Sequence, residues 1–145
     1  MSISPDSGMI LVSACLAGEA CRYDGRAALH PEVLRLLAAG RAVAVCPEVL
    51  GGLSVPREPV ELRAGRAVRS TGADVTGAFQ QGAQRALELA QAHGCRRAIL
   101  KARSPSCGSG RVYDGSFSGT LVPGDGVLAA LLKANGFEVL TEEEL

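Results

Sequence analysis

Three of the five cysteines, Cys15, Cys46 and Cys107, stand where apolar runs give way to loops. Cys15 follows the run in MILVSACL (9–16), Cys46 lies in AVAVCPEV (42–49), and Cys107 lies in KARSPSCGSG (101–110), just past RAILKA. The neighbours of Cys107 are Ser106, Gly108 and Ser109, whereas a cysteine that merely packs sits among Val, Ile and Leu as a small hydrophobe. Thiolates are soft ligands that select zinc and iron–sulfur chemistry. Three of them without an obvious fourth partner fit a [4Fe–4S] cluster held at three irons, with the fourth iron open. They also fit zinc with an open position, or zinc with His30 as fourth ligand. Spacing says no more than this, because the chain has no C-x-x-C pair. Cys95, directly after Gly94 at a predicted helix end, reads as structural. Cys21, six residues past Cys15, reads as a nearby thiol rather than a ligand.

The elements that would position these thiols follow from the hydrophobic pattern. MILVSACL reads as a strand buried on both faces. HPEVLRLLAAG (30–40) reads as a helix with Pro31 in its first turn, a stripe of Val33, Leu34, Leu36 and Leu37, and Gly40 at its end. AVAVCPEV reads as a second buried strand broken by Pro47. VELRAGRAVRS (60–70) predicts a small hairpin turning at Ala64-Gly65. Residues 74–93 predict the longest helix, capped by Asp74, with Val75, Phe79, Ala83, Ala86, Leu87 and Ala90 on one face. RAILKA (97–102) is a third buried strand, and a glycine- and serine-rich segment follows over 103–124. A helix capped by Asp125 and a strand in FEVLT complete the chain.

This order predicts an α/β fold: a mostly parallel sheet flanked by helices, Rossmann-like and three-layered, with a small hairpin insertion. Residues 1–8 read as a flexible N-terminal tail and 9–145 as one domain. In such sheets ligands collect outside the carboxyl ends of the strands. Cys15, Cys46 and Cys107 all fall at that edge, so the topology would deliver three distant thiols to one place.

Composition removes other readings. Fifteen Lys and Arg balance fifteen Asp and Glu, so the chain lacks the basic excess that DNA, RNA or a membrane surface would call for. Aromatics make up 3% with no Trp, too few for a base-stacking platform. No apolar run approaches the roughly 20 residues that span a bilayer, and the start has no basic leader region. The expected location is the cytoplasm, where an odd set of cysteines reads as thiols or metal ligands rather than disulfides.

Four blocks, SACLAGEACRYDG, CPEVLGGLSVPR, ARSPSCG and VYDGSFSGTLVPGDGV, carry a resemblance over about Met9 to Val139. Together they resemble the TudS-type thiouracil desulfidase family. The resemblance implies an oxygen-sensitive [4Fe–4S] cluster held by Cys15, Cys46 and Cys107, and hence iron–sulfur assembly machinery as a partner. It implies removal of sulfur from a thiolated uracil, as free base or mononucleotide, with the sulfur taken by the open fourth iron. Glu48 of CPE and Ser104 of SPSC would be the catalytic residues, and pyrimidine salvage the setting. Replacing C=S by C=O needs a water, a soft acceptor for sulfur and proton traffic. Glu48 could serve as base towards the water or as acid towards the ring, and Ser104 could position either.

Further residues could touch a pyrimidine. Ser13 and Ser106 flank the cysteines. Arg22, Tyr23 and Asp24 lie in CRYDGR, where the D-G pair also reads as a turn. Ser116 and Phe117 lie in YDGSFSGT, whose glycines permit close backbone approach. Two other readings share the same thiols: a zinc-thiolate hydrolase domain, and a non-catalytic iron–sulfur or redox sensor.

Overall fold

The structure, a computed structural model, describes residues 8–145; apart from Gly8, the expected tail lies outside the described residues. Four strands form one parallel sheet in the order β2 (Ala42–Val45), β1 (Ile10–Ser13), β5 (Arg97–Leu100) and β8 (Glu138–Thr141). Ile10 pairs with both Ala42 and Arg97, and Arg97 pairs in turn with Glu138.

Alternation along the two central strands builds two cores. Ile10 and Val12 of β1 and Ile99 of β5 pack against Leu16 and against Val33 and Leu36 of α1 (Pro31–Ala38). Leu11, Ala98 and Leu100 point the other way. They meet Ala83, Ala86, Leu87 and Ala90 of α3 (Thr76–Ala92) and Leu128, Ala129 and Leu132 of α4 (Val127–Ala134). Helices thus cover both faces, which is the expected three-layer arrangement and the reason the central strands read as continuous apolar runs.

The hairpin insertion is β3 (Val60–Arg63) and β4 (Arg66–Arg69). Ala64 and Gly65 both have positive φ, as a type I′ turn demands. Val60 and Ala67 pack on Phe79 of α3.

Several local expectations are corrected. The second strand stops at Val45, and Pro47 opens a one-turn helix, α2 (Pro47–Leu50). Its fixed φ suits a first helical position better than a strand. Leu34 and Leu37 are exposed rather than part of the core stripe, because α1 offers only Val33 and Leu36 to the sheet. Asp125 does not cap α4, whose N-cap is Gly126; its carboxylate accepts from Gly110 N and Lys133 Nζ. The glycine-rich segment holds a second hairpin, β6 (Arg111–Tyr113) with β7 (Leu121–Pro123). Among the described residues no helix is long and apolar enough to cross a membrane.

Candidate metal centre

At the carboxyl edge of the sheet lies a cavity of about 360 Å³, lined by Cys15, Cys21, Cys46 and Cys107. Each thiol arrives on a different piece of chain. Cys15 sits on a 3-10 turn, Ala14–Ala17, entered directly from β1. Cys46 lies between β2 and α2, and Cys107 lies on the loop after β5. Cys95 is buried in the core below α3 and is not among the lining residues.

The loops are fixed by close backbone approach. A Cβ on Gly82 of α3 would stand 1.8 Å from the carbonyl oxygen of Pro47, and one on Gly51 would stand 2.1 Å from that of Ala78. Only glycines let α2 seat on α3, and that seat places Cys46 and Glu48. On the other side, Gly126 lies where a Cβ would meet the Ser106 carbonyl at 2.6 Å. The first amides of α4 close over the SPSC loop: Val127 N donates to Pro105 O and Leu128 N to Ser106 O. Ser104 folds that loop on itself, its Oγ accepting from Ser106 N at 3.2 Å and Cys107 N at 3.1 Å.

Ser13 ties the two central strands just past their ladder, its Oγ accepting from Lys101 N. Burial pushes the Cys107 thiol up to about 12, against hydrogen bonds from Ser13 and Ser106 that favour the thiolate. A hydrogen bond with Cys15 raises Cys21 to about 11. Cys46 is pushed up as well, first by its hydrogen bond with Cys21 and then by burial. The protons on Cys46 and Cys107 would have to leave for those thiols to hold a metal, since the thiolate is the binding form.

Glu48, on the first turn of α2, is buried with both oxygens engaged. Arg57 Nε donates to Oε1 at 2.9 Å, and Ser106 Oγ donates to Oε2 at 2.8 Å. Ser104 Oγ stands 3.1 Å from Ser106 Oγ. The sequence Ser104–Ser106–Glu48 is therefore one hydrogen-bonded line along the cavity wall.

The donor set, soft thiols on one wall, fits a thiolate-held metal group. A four-iron cube takes one thiolate per iron, and a zinc takes up to four. His30 does not join the wall; its Nδ1 accepts from Glu32 N at the start of α1.

Of the remaining candidates, Ser13, Arg22, Tyr23, Ser104 and Ser106 line the cavity. Asp24, Ser116 and Phe117 are not among the lining residues. Asp24 accepts from Arg26 N and pairs with Arg22, while Ser116 and Phe117 sit on the turn between β6 and β7, where Phe117 N donates to Glu61. Sequence reasoning passed over Arg57, Glu61, Lys101 and Tyr113, all of which line the wall. For Arg57 the available signal was its place at the end of CPEVLGGLSVPR, nine residues past Glu48.

The fold and site define a class: a three-layer α/β protein with a thiol-lined cavity at the carboxyl edge of its parallel sheet. A family model of 2-thiouracil desulfurase matches residues 10–144, and the chain belongs to that family. It is 45% identical over 147 residues to the uncharacterized protein YbbK of Bacillus subtilis (strain 168), covering 94% of this chain and 97% of YbbK. It is also similar to the solved structure of the [4Fe-4S]-dependent thiouracil desulfidase TudS. That likeness has a TM-score of 0.91 and 47% identity, over 95% of this chain and 93% of that one.

Proposed function

We propose that this protein is a [4Fe–4S]-dependent desulfidase that converts a thiolated uracil and water into the oxo-pyrimidine and sulfide. The single observation that carries the reading is the convergence of Cys15, Cys46 and Cys107 on one cavity whose wall also bears Glu48 and Ser104. Family membership and the likeness to TudS point the same way.

Cys15, Cys46 and Cys107 would hold the cluster. When bound, it supplies a soft Lewis acid for the thiocarbonyl sulfur. The chain's own residues do the rest. Tyr23 and Tyr113 on the cavity wall would take the face of a pyrimidine ring. Glu48 accepts hydrogen bonds on both oxygens, which fix the direction its carboxylate faces, and serves as general base towards the attacking water. Ser104 Oγ already accepts two backbone amides, so its own proton is free to point at Ser106 or at the substrate. The line from Ser104 through Ser106 to Glu48 carries the proton between water and the departing sulfur. The balanced polar surface suits a small free substrate rather than a nucleic acid.

The test is Glu48→Ala in anaerobically reconstituted protein. It should keep iron and visible absorbance and lose sulfide release from 2-thiouracil and 4-thiouracil. Retained turnover in Glu48→Ala would remove Glu48 from the reaction.

A further inference from the structure

We infer that Arg57 is the positioning residue for Glu48, an inference that rests on Glu48 being the catalytic carboxylate. The Arg57 side chain is 5% exposed, and each of its three nitrogens has its own acceptor. Nε donates to Glu48 Oε1 at 2.9 Å, Nη1 to Ser54 O at 3.0 Å and Nη2 to Cys21 O at 2.9 Å. Its backbone N donates to Tyr23 O at 2.9 Å. A planar fork of donors can span three acceptors in fixed directions, which a lysine ammonium cannot.

Arg57 does two things at once. It opposes Ser106 across the Glu48 carboxylate, so the group is gripped at both oxygens and cannot turn about its last bond. It also holds the carbonyl of Cys21, the same oxygen that lies 3.7 Å from the Cys46 thiol. The carboxylate and the thiol-bearing loop are thus set relative to each other by one guanidinium. Displacing a catalytic group by about 1 Å costs on the order of a hundredfold in rate, so this clamp acts on turnover more than on substrate binding.

The test compares Glu48→Gln, Arg57→Met and the double variant. In the cluster-free proteins, each single change lowers Tm and the double lowers it by less than the sum, the mark of a directly coupled buried pair. After anaerobic reconstitution, Arg57→Met keeps its iron and visible absorbance and loses about ten- to a hundredfold in kcat, with KM within about threefold. The double variant is then no slower than Glu48→Gln alone, and Arg57→Lys recovers part of the loss. Losses in kcat that multiply in the double variant would overturn the inference, as would wild-type kcat in fully loaded Arg57→Met. If Arg57→Met does not fold, Arg57→Lys is read in its place: a reduced kcat at unchanged KM supports the clamp, and an unchanged kcat overturns it. Less-than-additive Tm changes beside a loaded wild type that releases no sulfide would leave the Glu48–Arg57 clamp standing and overturn the desulfidase reading.

Discussion

The carbonyl of Pro47 occupies the space that a side chain on Gly82 would need, with only 1.8 Å between that oxygen and the position of a Cβ. This contact seats α2 on α3 and so sets the height of Cys46 and Glu48 at the cavity. Alanine is the better helix former by about 1 kcal/mol at an open position. At Gly82 the clash should reverse the sign, and Gly82→Ala should destabilise by about 1–3 kcal/mol. Gly77, in the same helix with nothing within 4 Å of its Cβ position, is the control. Gly77→Ala should stabilise by about 0.5–1 kcal/mol. Chemical denaturation of the two variants reads both signs.

Ser106→Ala removes the hydroxyl between Ser104 and Glu48 while leaving the backbone contacts to α4 in place. Loaded Ser106→Ala should retain its iron and lose about ten- to a hundredfold in sulfide release. Equal turnover in variant and wild type would show that protons travel by another route.

The raised thiols predict how stability depends on pH. In the cluster-free protein Cys107 keeps its proton up to about 12, whereas the unfolded thiol loses it near 9.0. Above 9.0 the unfolded state therefore binds fewer protons than the folded one, and stability falls as pH rises through that window. The contribution is fully present below 9.0. Urea unfolding of cluster-free protein should show a decline from pH 9 upwards that is smaller in Cys107→Ala. An identical decline in that variant would place the titration elsewhere.

The same protons link cluster loading to pH. Three ligands must be deprotonated to bind, so loading releases protons and strengthens as pH rises. Reconstitution yield measured across about pH 7 to 9 should increase. A yield independent of pH would contradict thiol ligation.

What the sequence made legible was set by strands. A parallel sheet places every strand's carboxyl end on one edge, so Cys15, Cys46 and Cys107 could be assigned to one site from the ends of three apolar runs. The Ala64-Gly65 turn and the Gly94 helix end were equally local. Arg57 was visible only as the end of CPEVLGGLSVPR; its role depends on a loop returning over Glu48, and nothing in its neighbours specifies that path. Pro47 was ambiguous for a similar reason: a proline that stops a strand also starts a helix, and the packing of Gly51 and Gly82 decides between them. Leu34 and Leu37 looked like core by periodicity, yet a two-turn helix buries only the residues facing the sheet. Asp125 carries the sequence mark of a cap, but Lys133 and Gly110 compete successfully for its carboxylate.

The most direct test of the thiol-bound centre is sulfide released from thiouracil by anaerobically reconstituted wild-type protein, assayed beside Cys107→Ala. The account predicts a brown wild type with about four irons per chain that turns over many equivalents of thiouracil, and a colourless, inactive Cys107→Ala. A Cys107→Ala protein that still holds the cluster and still releases sulfide would contradict it.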